Sequence, residues 1–245
     1  MLDWTTIAKV LEIGWINILL SGDNAVVIAL ACRALPERQR KAGILLGAGV
    51  AVLLRIVFAL VVATLMGLPF LRVVGALLLL WIAVKLITDE SDEADVAAHD
   101  SLWKAVQTIA IADAVMSLDN VIAVAAVAKG NYWLFVFGLA LSIPIVVIGA
   151  QLIMSLLSRF PVLVWAGAAL LGWVAGEMFF GDPKVLDWLQ ASMPGWVHQV
   201  PVDVNPAGRE AIHIVEYSAA AVGAALVVVL ALILRKRGGH ETKPT

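Results

Sequence analysis

Cysteine, histidine and charge are all scarce in this chain. Of 245 residues one is cysteine (Cys32), four are histidine and 15% are charged. A single cysteine excludes an internal disulfide framework and a cysteine-rich metal centre, and Cys32, at the end of an apolar run, reads as structurally inert. There is no His-x-x-His spacing and no cysteine pair, which argues against a zinc or copper site of the usual kind. The net charge of −2 offers no basic footprint for a nucleic acid. No Gly-rich phosphate-binding motif occurs, so ATP-driven pumping by this chain alone is not expected, and no enzymatic activity or bound cofactor is expected either. The first apolar stretch has no basic region ahead of it, since Asp3 comes first and Lys9 only later. It reads as a first membrane helix and not as a cleaved signal.

What the chain has in excess is apolar surface: 62% of its residues are hydrophobic and the mean hydropathy is +0.95. Repeated apolar runs of about 20 residues, each able to cross a ~30 Å hydrocarbon core, account for this. The pattern predicts an all-α membrane protein with about seven transmembrane helices, near 7–31, 42–66, 70–88, 104–128, 133–155, 162–180 and 213–234. Residues 181–212 read as an extracytoplasmic interfacial loop with one short amphipathic helix, and 235–245 as a cytoplasmic tail. Trp4, Trp103, Trp133, Trp188 and Trp196 suit interfacial belts. The acidic run Asp89, Glu90, Asp92, Glu93, Asp95 and Asp100 reads as a solvated loop or as a collector of cations.

Lysine and arginine are unevenly shared. One side of the membrane holds Arg33, Arg38, Arg40, Lys41, Lys85, Lys104, Arg159, Arg235, Lys236, Arg237 and Lys243; the other holds Lys9, Arg72, Lys129, Lys184 and Arg209. The positive-inside rule then puts the N-terminus outside and the C-terminus in the cytoplasm.

The chain also repeats itself. Asn17, Ser21, Asp23 and Asn24 align without a gap on Asp113, Ser117, Asp119 and Asn120. Further on, at a slightly shorter offset, Pro69, Gly75, Trp81 and Lys85 align on Pro161, Gly167, Trp173 and Glu177. Residues 1–88 and 104–180 are therefore read as two three-helix repeats. Three crossings is an odd number, so the halves insert with opposite orientation, the inverted-repeat arrangement of many secondary transporters.

Both Asp-Asn pairs lie in the middle of apolar runs, where an ionisable residue is costly and signals function. On a straight helix Asn17, Ser21 and Asn24 share a face, while Asp23 lies ~100° away from Asn24. A local unwinding at Ser21-Gly22 is the expected remedy, and Asp119 in the second half is the corresponding outlier. Converging, the two halves offer Asp23, Asp113 and Asp119 as carboxylates, Asn17, Asn24 and Asn120 as carboxamides, and Ser21 and Ser117 as hydroxyls. An all-oxygen set of this kind suits Mn²⁺, Ca²⁺ or Mg²⁺. The competing reading is that Asp23 and Asp119 cap helix segments that restart after a break.

Other polar residues stay open between two roles. Arg55, in the middle of the second span, either pairs with an Asp when the ion leaves or bonds backbone carbonyls. Lys85 suits interface anchoring, its counterpart Glu177 an exit path. His213 and Glu216, where the seventh span begins, are either a gate or simply wet.

The segment Ser-Gly-Asp-Asn-Ala-Val-Val-Ile-Ala-Leu from Ser21 and the set Asp113, Asp119, Asn120 resemble the two motifs of the TerC family, in particular its short YjbE-like branch, within a wider LysE-type transporter superfamily. The resemblance spans the first six helices. It implies export of metal ions, chiefly manganese, from the bacterial cytoplasm across the inner membrane. Many members carry an acid six positions before the first motif Asp; here that position is Asn17, so the first half contributes one charge fewer.

The expectation is thus a transporter that exports a divalent cation, Mn²⁺ ahead of Ca²⁺, by alternating access, with the bilayer and the metal ion as its partners and no nucleic acid. Three carboxylates around one ion leave excess negative charge, which invites a proton when the metal departs and makes proton coupling an expectation as well. A LysE-like exporter of a small organic cation or amino acid is the first alternative. An intramembrane aspartyl protease is the second, although Leu20 stands where such a protein would place a glycine. A retinal sensor is excluded by a seventh span without lysine.

Overall fold

The computed structural model describes residue 15 and residues 21–65, 68–88, 98–128, 132–201 and 208–238, with side chains described except over 59–65, 98–100, 118–128, 132–139 and 237–238. Helix α1 is described over 21–33. It is followed by α2 (Glu37–Leu65), α3 (Leu71–Thr88), α4 (Ala98–Ala128), α5 (Tyr132–Arg159), α6 (Val162–Phe180), α7 (Pro183–Ser192) and α8 (His213–Gly238). The fold is that of an all-α membrane protein.

Five described stretches are long and apolar enough to cross a bilayer: Glu37–Phe58, Leu71–Thr88, Ala140–Arg159, Val162–Phe180 and His213–Lys236. The first and fourth expected spans are helical at residue 15, over 21–31 and over 104–128, and the remaining residues of the first lie outside the described residues, as do Lys9 and Trp4. The acidic 89–97 segment and the tail beyond 238 also lie outside them.

The distribution of side chains is inverted relative to a water-soluble fold. Leu53, Leu77, Trp81, Ile148, Leu152 and Val222 are exposed, while Ser21, Asn24, Arg55, Asp113, Ser117, Ser142 and Asp182 are buried. With hydrocarbon outside, apolar groups lose nothing by facing outward and polar groups must find partners within.

Local chemistry sets the boundaries. Between α1 and α2 the Pro36 carbonyl accepts from Gln39 N at 2.8 Å and Arg40 Nε donates to Leu35 O at 2.9 Å. Pro69 and Pro161 stand just before α3 and α6, where a missing N–H costs nothing. One expectation is corrected here. Ser21 and Gly22 are α-helical, and a Cβ on Gly22 would meet nothing within 4 Å. Nothing presses on the backbone at this point, so the helix has no reason to open.

The chain divides into two compact units: Met1–Met66 with Val96–Phe160, and Gly67–Asp95 with Pro161–Thr245. Each unit draws on both sequence halves. The first contains α1, α2, α4 and α5; the second contains α3 and α6 together with α7 and α8. In the first unit α2 packs on α4 and α5, and Gly149 of α5 lies against Ala25 of α1. In the second unit α6 packs on α8 and α3. The α6–α8 contact is a backbone approach: a Cβ on Gly172 would sit 2.5 Å from Gly223 O, and one on Gly176 would strike Ala219. Small residues let helices approach closely where lipid supplies no hydrophobic drive.

The expected short amphipathic helix in 181–212 is α7. Asp182 caps it, accepting from Lys184 N at 2.9 Å, with Pro183 at the first helical position. The fully buried Asp182 also accepts from Arg72 N at 3.2 Å, while Arg72 Nη1 donates to Gly181 O at 2.8 Å. The loop adds something unexpected, an antiparallel pair of strands, β1 (Val197–Gln199) and β2 (Arg209–Ala211), with His198 opposite Glu210. Leu186, Leu189, Ala211 and Val215 form the small core beneath, and Arg209 ties the hairpin to Asp187 and Gln190. Trp103, Trp188 and Trp196 are exposed, as an interfacial role requires; the side chain of Trp133 lies outside the described residues.

Candidate functional site

The buried charges of the first unit come from three helices. α2 supplies Arg55 and α4 supplies Asp113, whose Nη2 and Oδ1 are 2.6 Å apart with side-chain exposures of 5% and 4%. One turn along α4, Ser117 Oγ donates to Asp113 Oδ2 at 2.8 Å. Both oxygens of Asp113 are thus engaged, as a buried carboxylate requires. α1, in the same compact unit, supplies Asp23, which is half-buried. Two of the three acids expected to converge, Asp23 and Asp113, lie in the same compact unit, and each comes from a different half of the chain.

Asp23 lies to one side of its own helix face, as regular helical spacing dictates. Its Oδ1 accepts from Asn24 N at 2.7 Å and from Asn24 Nδ2 at 3.1 Å. An N-cap instead accepts the amide two or three residues on, and Ser21 and Gly22 are already helical before it. Likewise α4 runs unbroken from Ala98 to Ala128 across Asp119. The capping reading therefore fails at both positions. Ser21 is buried, and its Oγ has no hydrogen-bond partner among the described residues. Arg55 Nε is in the same condition.

Asn17 lies outside the described residues. Asp119 and Asn120 are helical, but their side chains lie outside the described set. Among the described residues no three His, Cys, Asp or Glu side chains gather into a metal-holding group; the described acids of this cluster are Asp23 and Asp113. Arg55 was open between two partners and takes the carboxylate. The sequence marked Arg55 as exceptional, since an arginine in the middle of an apolar helix needs a polar partner, but left open whether that partner is a carboxylate or a backbone carbonyl.

The second aligned block recurs as local contacts in the second unit. Lys85 Nζ stands 5.1 Å from the centre of the Trp81 ring, and Trp173 Nε1 donates to Glu177 at 2.6 Å. At the start of α8, His213 Nδ1 is 3.7 Å from Glu216 and its ring stacks on Tyr217, with His213 well exposed.

Known proteins place this architecture. The chain is 42% identical over 177 residues to the uncharacterized membrane protein YjbE of Bacillus subtilis (strain 168), covering 72% of this chain and 81% of that one. Over 170 residues it is 30% identical to YceF of the same organism, covering 65% and 66%. Over 198 residues it is 25% identical to YkoY, also of that organism, covering 70% and 61%. No solved structure matches it. Residues 2–238 match the profile of the integral membrane protein TerC family. That match takes in both Asp-Asn motifs and every described helix, and the chain is a multi-pass membrane protein of the TerC family.

Proposed function

We propose that this protein exports a divalent metal cation, Mn²⁺ first, from the cytoplasm across a bacterial inner membrane by alternating access. One observation carries the reading: Asp113 is buried among apolar helices with Arg55 at 2.6 Å and Ser117 on its other oxygen, and Asp23 of the other half of the chain belongs to the same compact unit. Carboxylates at such depth are expensive, and an ion pathway is the usual reason to keep them. The donors on offer are oxygens, which suit hard or borderline cations. Asp119 is the third carboxylate ligand, with Asn24 and Asn120, then Asn17, Ser21 and Ser117, as neutral ones. Excess negative charge left by the departing ion is offset by a proton, which gives a proton antiport. The N-terminus faces outward and the C-terminus the cytoplasm, by the lysine and arginine count. Manganese efflux from loaded proteoliposomes tests this. Efflux that depends on the protein, is abolished by Asp113→Asn and by Asp119→Asn, and quickens with an opposing pH gradient supports it. Efflux no faster than in empty liposomes removes it.

A second reading is favoured by Arg55. A small zwitterion such as an amino acid needs an anion for its ammonium and a cation for its carboxylate, and Arg55 with Asp23 supplies both signs. Counterflow of labelled amino acids in the same liposomes separates the two, since a metal exporter gives none.

A further inference from the structure

Arg55 raises a problem for any cation that uses Asp113. Its guanidinium sits 2.6 Å from Asp113 Oδ1, and both side chains are almost wholly removed from solvent. The other Asp113 oxygen is taken by Ser117. A divalent ion bonded to a carboxylate oxygen lies about 2.0–2.6 Å from it. Such an ion on Asp113 would stand within about 5 Å of the guanidinium, two like charges in a medium of low polarisability. The two cations cannot share this carboxylate comfortably. The guanidinium is also not fully satisfied where it stands: its Nε has no hydrogen-bond partner among the described residues.

We propose that Arg55 is a tethered counter-cation that holds Asp113 between transport events and that a metal ion must displace. The inference rests on the reading that Asp113 binds the transported cation. Its consequence is selectivity by charge. A monovalent ion brings no more charge than the arginine it would replace and must also shed its water, whereas a divalent ion brings twice as much. It also supplies a means of release, because the returning guanidinium expels the ion.

The test is Mn²⁺ binding to the purified full-length protein by calorimetry, with Arg55→Gln and Arg55→Lys beside the wild type. Arg55→Gln is expected to tighten Mn²⁺ binding by on the order of tenfold or more while slowing efflux from proteoliposomes. Arg55→Lys, which keeps the charge, stays near the wild-type affinity. A second measurement needs no variant. The infrared band of isotope-labelled arginine guanidinium in the wild type shifts on adding Mn²⁺ if the ion pair opens. Unchanged or weaker binding in Arg55→Gln, or an unmoved guanidinium band at saturating Mn²⁺, overturns the proposal while leaving metal export standing. A wild type that binds no divalent cation, with an Asp113→Asn variant indistinguishable from it, overturns both.

Discussion

Arg55 on α2 and Asp113 on α4 are 58 positions apart in the chain and 2.6 Å apart in space. In a helical unit whose outward faces are apolar, both side chains of this pair are almost wholly removed from solvent. Its energetics are asymmetric. Bringing both groups out of water costs nearly what their attraction returns, so the intact pair adds little, but stripping one partner leaves a bare buried charge.

Asp113→Asn is accordingly expected to lower stability by about 3–5 kcal/mol, and Arg55→Gln by a similar amount, whereas the double variant recovers most of the loss. Thermal unfolding in detergent, arranged as a double-mutant cycle, measures it. Additive losses would mean that the two side chains do not rely on each other.

Asp23→Asn keeps the shape and hydrogen-bonding reach of a residue that is only half-buried. Stability should barely move, while manganese efflux should fall by on the order of 100-fold if the carboxylate is a ligand. Cellular manganese content and tolerance, read in cells with and without the protein, report the same effect in vivo. Normal efflux with Asn at 23 would remove this acid from the ion path.

Gly22 and Gly172 should respond in opposite directions. Gly22 is helical, and a Cβ there meets nothing, so Gly22→Ala is expected to stabilise by about 0.5–1 kcal/mol. Gly172→Val drives side-chain atoms into the α8 backbone at Gly223 and should cost about 1–3 kcal/mol. Melting temperatures of the two variants decide. A destabilised Gly22→Ala would argue for an opened helix at the first Asp-Asn motif.

Asp182 accepts from the backbone of two helix starts, Lys184 at α7 and Arg72 at α3. Asp182→Ala is expected to cost about 1–2 kcal/mol, concentrated in α7. Hydrogen exchange should show faster exchange over Pro183–Ser192 with α8 unchanged. Uniformly faster exchange would point to a global role instead.

Much of this could be read along the chain, and the reason is the solvent. In hydrocarbon a backbone must satisfy its hydrogen bonds within its own segment, so an apolar run of sufficient length becomes a helix whatever its neighbours do. That is why the span at 162–180 coincides with α6, and why the aligned Trp81–Lys85 and Trp173–Glu177 pairs each close on themselves within one turn. The carboxylates also declared themselves, because depth alone makes them exceptional. The hairpin at Val197–Gln199 and Arg209–Ala211 was hidden, since strands of three residues leave no readable alternation.

Residue order along single helices determined the spans, the repeat and the candidate acids, because each depends on contacts within a turn or two. Packing decided which arginine meets which aspartate and that each compact unit draws on both halves of the chain. Those outcomes depend on how closely two helices approach. In lipid the approach is governed by small residues and buried polar partners on facing surfaces, and not by hydrophobicity, which is the same on every side.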